Sequence, residues 1–515
     1  MPAIASKGTY SARLSLTLAL VMALGFVVFA LSTRFGIGIL PDSTRYMQLS
    51  PVPCDAPLYP WVLAAGRLLG FENEAAAYGL AAALFIANTG LILLILKSVC
   101  GPHRIVLLSA ALLVVLAPQY IRAHMVAMSE PMFLFLARLS AMAFWRYLEE
   151  DSLGWLLASS VALGLCMLTR FSAAPLGAAL ATSLLLCAPE RPWRGRLLHL
   201  MLFCGVSGAI FLAWIAGSTL TVGRSVGRSL WFYGNADWAR WISGGETLST
   251  FLLPSQIPAL VRYVLTFCVL VAFVWIAVRA LLRVLGRKAQ PADRLLLMLG
   301  LFVGWYAAFM VLAVSIEANL PLNARYLLPV YLAMVIFFAT WFGQRPVSEQ
   351  AGTSRLLLLA LVGLVIASDG VRLVSQTREA YAEGIGYQAP RWFHSPIIRA
   401  VGELPADARI YSNAPDALNY LTGRNAQLIP TQFERRTGIE NPDNPYAAQV
   451  VALRGALRRG NSYVVFIDHV DWRFYLAAEE RLGRDADLMA IRTVEDGRIY
   501  TSNMHDGNVA GTVAH

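Results

Sequence analysis

Residues 14–33 read LSLTLALVMALGFVVFALST, and residues 34–46 continue RFGIGILPDSTRY. The first stretch is twenty residues without a charge. A helix of that length crosses ~30 Å of hydrocarbon. Lys7 and Arg13 precede it, as in a signal peptide. Its apolar run exceeds the usual ~7–15-residue core of such a peptide, and no A-x-A cleavage site follows, so it reads as an uncleaved anchor. The second stretch turns polar and sets an acid, Asp42, just beyond the span.

Working outward, ten more apolar stretches follow, at about 75–97, 105–121, 129–148, 153–169, 171–188, 197–217, 259–282, 295–315, 326–343 and 355–371. They predict an α-helical polytopic membrane bundle of about eleven transmembrane helices. Composition agrees. The 515 residues are 57% hydrophobic and 14% charged, with mean hydropathy +0.56. A soluble chain carries about 25% charged residues. A soluble enzyme, a disordered chain and a nucleic-acid binder are thereby excluded.

The net charge of +10 reads as topology. With the N-terminus inside, the inner segments hold 15 basic and six acidic residues, a net of +9. The outer loops before residue 370 hold ten basic and nine acidic residues. Basic residues gather on the cytoplasmic side of membrane proteins, so the N-terminus is cytoplasmic and nucleic acid is no partner. The six cysteines form no C-x-x-C, and only Cys54 lies in an outer loop. No disulfide framework is indicated.

This topology divides the chain into a transmembrane domain, 1–371, and an extracytoplasmic segment, 372–515. The latter is polar and charge-balanced, and it predicts a small α/β domain. Arg409–Ser412 reads as a strand. Asn413 suits an N-cap, Pro415 a first helical turn, and Gly423 a helix end. Tyr463–Ile467 reads as a buried strand, and 487–502 as a hairpin turning at Asp496-Gly497.

Chemistry belongs in the outer loops, because the inner ones are short and basic. The first carries Pro41-Asp42-Ser43-Thr44-Arg45-Tyr46 and then Asp55-Ala56-Pro57-Leu58-Tyr59-Pro60-Trp61. Asp42 suits a helix N-cap, and a short helix over 61–70 suits the interface, with Tyr59 and Trp61 as anchors. The second carries Arg122, His124 and Ser129-Glu130-Pro131, where Glu130 favours a helix N-terminus. The fourth sets Trp231, Phe232, Tyr233, Trp238 and Trp241 among Arg224, Arg228 and Arg240. That is either an aromatic belt or an amphipathic lipid-facing helix. The fifth ends Asn323-Ala324-Arg325-Tyr326-Leu327-Leu328-Pro329. Arg325 and Tyr326 there have the ordinary use of interfacial anchors. Arg138 lies about two turns inside a span and must face the bundle interior, a partner or a cavity.

Together these pieces resemble a family. The order is a first span, Pro41–Tyr46, Pro57-Leu58-Tyr59-Pro60, Ser129-Glu130-Pro131, Leu168-Thr169-Arg170-Phe171, and Arg325-Tyr326-Leu327-Leu328-Pro329. It is similar to the GT-C superfamily of integral-membrane glycosyltransferases. The likeness is to the branch with protein O-mannosyltransferases, aminoarabinose transferases and lipopolysaccharide-core sugar transferases. It covers residues 14–343, and the stretch Ile410–Arg424 also looks like bacterial members. The resemblance implies transfer of a hexosyl or pentosyl group, with inversion, from a polyprenyl phosphate to an acceptor hydroxyl. The reaction would take place on the extracytoplasmic face of a bacterial inner membrane. The acceptor is a lipid, a glycan or a protein.

By the same resemblance Asp42 is the general base, and Glu130 positions the acceptor or a metal. Arg325, Tyr326 and Arg122 bind the donor phosphate. His124 and Asp55 are acceptor or metal candidates. A divalent metal is left open as cofactor, since no spacing demands one. The alternative is a multi-span transporter or flippase of a lipid-linked sugar. A non-catalytic glycolipid-binding member is a third reading. No repeated halves of the transporter kind are visible, and the polar residues cluster at outer span ends.

Overall fold

The computed structural model describes residues 2–49, 56–187, 191–222, 238–317, 319–344 and 353–502. Asp55, Cys54, Arg224, Arg228, Trp231, Phe232 and Tyr233 lie outside the described residues.

The bundle begins with α1 (Pro2–Ser32), the short α2 (Pro41–Tyr46) and α3 (Leu58–Leu68). It continues through α4 (Asn73–Cys100), α5 (Arg104–Val115), α6 (Pro118–His124), α7 (Glu130–Glu150), α8 (Leu153–Thr169) and α9 (Ala174–Cys187). Then come α10 (Trp193–Val222), α11 (Trp238–Thr250), α12 (Ala259–Leu285), α13 (Pro291–Ile316), α14 (Ala324–Gly343) and α15 (Thr353–Glu383). Each of the eleven apolar stretches is mainly helical over its described residues. Among the described residues seven helices are long and apolar enough to cross a membrane, namely α1, α4, α10, α12, α13, α14 and α15. An eighth is the α5–α6 pair, bent by 52°. The bend has a local cause. Pro118 opens α6 and holds Ala117 extended, which stops α5. Helices α8 and α9 are short. Helix α7 carries Glu130, Arg138, Arg146, Glu149 and Glu150, and it packs inside the bundle against α4, α8, α9 and α13.

Two expectations change. Tyr59 is buried against Tyr46, with ring centroids 5.4 Å apart, while Trp61 stays exposed. In the second change, α15 runs unbroken past residue 371 to Glu383. Beyond it lie α16 (Pro390–Phe393), α17 (Pro396–Gly402), β1 (Arg409–Ser412), α18 (Pro415–Thr422) and β2 (Ala426–Leu428). The chain then forms α19 (Tyr446–Arg458), β3 (Ser462–Ile467), α20 (Glu479–Asp485), β4 (Leu488–Val494) and β5 (Gly497–Ser502). The strands make one sheet in the order β2-β1-β3-β5-β4. Strand β1 runs parallel to β2 and β3, and β5 runs antiparallel to β3 and β4.

Asn413 does not cap α18. Its amide accepts from the Ile467 N–H at 3.0 Å and donates to the Ile467 carbonyl at 2.9 Å. One side chain thus extends the β1–β3 ladder past Ser412, because an amide offers both a donor and an acceptor. Gly423 does end α18, at φ +68°.

Three backbone segments lock the sheet to the bundle. Gly38 N–H donates to Met125 O at 2.8 Å, and Ala127 N–H to Gly38 O at 2.9 Å. Tyr387 N–H donates to Ile39 O at 2.8 Å. The loops that lead to α2 and α7 are therefore bonded to each other and to the segment after α15. This crossing needs Gly386. It sits at φ +59°, and a Cβ there would fall 2.1 Å from the Ile39 carbonyl oxygen.

The two glycines give a matched test. Gly423→Ala meets open space and should cost only the left-handed penalty, roughly 1–2 kcal/mol. Gly386→Ala must also push its own backbone away from that of Ile39. Its thermal midpoint in detergent should fall well below that of Gly423→Ala. Equal midpoints would contradict the locking role.

Candidate active site

The site starts with α2. Pro41 fixes the first turn, and Ser43 Oγ accepts the Leu40 N–H at 3.0 Å. Capping is thus done by Ser43, and Asp42 is free to turn elsewhere. Its Oδ1 pairs with Arg45, one turn on. Its Oδ2 lies 3.2 Å from Arg325 Nη1.

Arg325 comes from the start of α14. Asn323 caps that helix by accepting the Arg325 N–H at 3.1 Å. Pro329 lies four residues after Arg325 and has no N–H to offer the Arg325 carbonyl, which loosens the first turn. Tyr306 of α13 holds the turn by donating to Tyr326 O at 2.8 Å. The Arg325 Nε bonds Glu130 Oε1, so one guanidinium joins Asp42 and Glu130. These carboxylates are 88 residues apart in the chain.

Glu130 opens α7 and is buried. Its Oε1 also accepts from Arg170 Nη1 at 2.8 Å. The same Arg170 nitrogen donates to Ser129 Oγ at 3.1 Å, and Tyr46 OH lies 3.4 Å from that hydroxyl. Glu130 Oε2 is buried with no hydrogen-bond partner among the described residues. Burial acts to raise the Asp42 carboxyl, but the Arg45 and Arg325 guanidiniums outweigh it and hold Asp42 below the usual carboxylate range. Arg435, from the sheet domain, adds to that lowering.

Glu130, Arg170, Arg325, Tyr306 and Tyr326 line a small cleft whose floor is Phe133, Leu134 and Pro329. The same three floor residues line a second, apolar cavity of about 80 Å³, deeper between α4, α7, α9, α13 and α14. A charged mouth thus sits over an oily recess. Arg138 borders that recess and donates to Asn88 Oδ1 at 2.5 Å.

The structure brings Asp42, Glu130, Arg325 and Tyr326 together. It keeps Arg122 and His124 apart from them. Arg122 is exposed at the end of α6, with none of the four as a hydrogen-bond partner. His124 is fully buried behind the site. Its Nδ1–H donates to Tyr120 O at 2.8 Å, and its Nε2 accepts from Asn88 Nδ2 at 3.1 Å. Neither ring nitrogen is left for a metal or an acceptor. Among the described residues no group of three His, Cys, Asp or Glu side chains could hold a metal ion. Among the described residues the donor set does not fit a divalent cation either, because Asp42 and Glu130 are already paired with Arg45, Arg170 and Arg325.

Arg170 and Arg45 are the members that sequence reading left without a role. The signals were present. Arg45 stands at the i,i+3 spacing from Asp42, and Arg170 is a lone cation at the end of an apolar helix.

Residues 53–215 match the sequence profile of the family described as dolichyl-phosphate-mannose-protein mannosyltransferase. No curated protein gives a significant sequence match. Solved structures resemble the whole chain. ArnT from Cupriavidus metallidurans, bound to undecaprenyl phosphate, matches with TM-score 0.55 at 15% identity, over 96% of this chain and 99% of that one. The oligosaccharyltransferase AglB from Archaeoglobus fulgidus, in complex with an inhibitory peptide and a dolichol-phosphate, matches with TM-score 0.54 at 12% identity, over 96% and 75%. The arabinofuranosyltransferase AftD from Mycobacteria matches with TM-score 0.50 at 15% identity, over 95% of this chain and 40% of that one. At such identities the likeness is one of fold. The fold is like that of these three proteins, and residues 53–215 carry the family-profile match.

Proposed function

We propose that the chain is a glycosyltransferase that moves a sugar from a polyprenyl-phosphate carrier to an acceptor hydroxyl. The observation that carries this reading is the sharing of Arg325 by Asp42 and Glu130 directly above an apolar recess. A lipid phosphate needs that combination, with guanidinium donors for its head and an oily groove for its chain. Guanidinium groups suit bidentate phosphate binding.

The reaction is a single displacement. The acceptor oxygen attacks the anomeric carbon as the bond from that carbon to the phosphate oxygen breaks. The sugar is inverted, and the electron pair leaves with the polyprenyl phosphate. Asp42 takes the acceptor proton as the new bond forms. Arg325 and Arg170 meet the charge that develops on the leaving phosphate, with Tyr326 beside Arg325. Glu130 orients both guanidiniums, and its unpartnered Oε2 is available to a sugar or acceptor hydroxyl. As the phosphate draws on the Arg325 charge, Asp42 loses some of its neutralising charge and becomes the better base.

The reading places eleven crossings in a bacterial inner membrane, with the N-terminus cytoplasmic. The site and the sheet domain then share the extracytoplasmic face. The segregation of basic residues supports this arrangement.

Asp42→Asn should lower transfer by about 10²–10⁴-fold while polyprenyl phosphate binding persists. Arg325→Ala and Arg170→Ala should weaken polyprenyl phosphate binding instead. Full transfer by Asp42→Asn would remove Asp42 as the base.

The ion pairs also leave a stability signature. Asp42 is held below its ordinary value in the folded state. Its contribution is therefore complete above the unfolded value, about 3.9, and is lost as pH falls through the lower folded value. The gap in thermal midpoint between wild type and Asp42→Asn should be steady from pH 5 to 8 and shrink below about pH 4. A gap independent of pH would contradict the pairing.

A further inference from the structure

Two loops of the sheet domain lean over the site. Residues 430–432 and 475–477 are bonded to each other, Gln432 N–H to Tyr475 O at 2.9 Å and Ala477 N–H to Pro430 O at 3.1 Å. The first loop docks on the segment that leads into Arg325, where Asn319 Nδ2 donates to Arg435 O at 2.6 Å and Arg436 lies 3.6 Å from Glu317. The second loop is anchored by Arg473, which pairs with Asp416 at the start of α18. Helix α18 packs on α2, the helix of Asp42.

The loops carry two further features. Arg435 is exposed and has no ion pair among the described residues. Phe474 and Trp472 are 56% and 41% exposed, and the Phe474 ring lies 6.1 Å from that of Phe433. Charge counting separates Arg435 from the rest of the site. Asp42, Glu130 and the single charge of a phosphodiester donor are balanced by Arg45, Arg170 and Arg325. Arg435 is one cation more, and its charge also acts on Asp42.

We propose that the paired loops form the acceptor side of the site, with Arg435 engaging an anionic group on a saccharide acceptor and the Phe433–Phe474 pair and Trp472 stacking on its rings. This rests on the transferase reading and adds the acceptor class to it. A saccharide offers apolar ring faces to aromatic side chains, and an anion gains a charge-assisted bond from a guanidinium. The anion is a carboxylate or a phosphate monoester.

The test uses the full-length protein in nanodiscs and four probes. Three are disaccharides of one scaffold, in neutral, uronate and phosphorylated forms. The fourth is polyprenyl phosphate. At least one acidic form should bind more tightly than the neutral one, and Arg435→Ala should weaken that form about tenfold, the worth of one charge-assisted bond. Arg435→Lys should recover some of the loss. Binding of the neutral form and of polyprenyl phosphate should not change in Arg435→Ala. Phe474→Ala should weaken all three disaccharides alike, with an unchanged thermal midpoint. Equal binding of acidic and neutral forms, absence of disaccharide binding, or loss of polyprenyl phosphate binding in Arg435→Ala would each overturn the proposal. Failure of the wild type to bind polyprenyl phosphate would count against the donor reading instead.

Discussion

The structure depends on one shared guanidinium. Asp42 and Glu130 stand at the starts of different helices, α2 and α7, and carry like charge. Brought together in a partly buried cleft, each would disfavour ionisation of the other. Arg325 removes that conflict by bonding both. Arg45 and Arg170 then take one carboxylate each. The result is a cleft in which each carboxylate faces guanidinium charge and a phosphate finds cations already in place. Preorganised charge of this kind needs no rearrangement when a leaving group becomes anionic.

The backbone makes the sharing possible. The hydrogen bonds of Gly38, Ile39, Met125, Ala127 and Tyr387 fix the loops before α2 and α7 against each other. The Asn323 cap and the Tyr306 hydroxyl fix the first turn of α14, which Pro329 leaves short of one hydrogen bond. Asn88 of α4 accepts from Arg138, deeper in α7, and donates to the Pro131 carbonyl at 2.8 Å, next to Glu130. A buried cation inside the bundle thus serves to hold the helix end that presents the acid.

Much of this was legible in the sequence. The apolar stretches gave the helices, because membrane length leaves few other readings. Strand β1 and the glycine end of α18 followed from local chemistry; the β4–β5 hairpin also forms, but it turns at Glu495-Asp496 and not at Asp496-Gly497, since Gly497 pairs with Val494 in the ladder. Asp42, Glu130 and Arg325 were named from their motifs, and the structure brings them together. What was not legible depends on neighbours distant in the chain. Asn413 has the composition of a cap, yet its partner is Ile467. His124 looked like a ligand because it lies near the second acid, yet Asn88 and Tyr120 consume both its nitrogens. Arg170 had no role in the sequence, because its partners Ser129 and Glu130 belong to the start of another helix. A one-residue slip on a helix turns a side chain by about a quarter of a circle, and no sequence period fixes such a register between helices so far apart in the chain.

The central claim is covalent transfer, and the fate of a lipid-linked sugar tests it most directly. Purified protein would be incubated with polyprenyl-phosphate sugars and an envelope extract, and the products weighed by mass spectrometry. The account predicts that polyprenyl phosphate appears in step with the loss of the lipid-linked sugar, and that an acceptor gains one sugar residue. Movement of the intact lipid-linked sugar across the bilayer, with no covalent product, would contradict it.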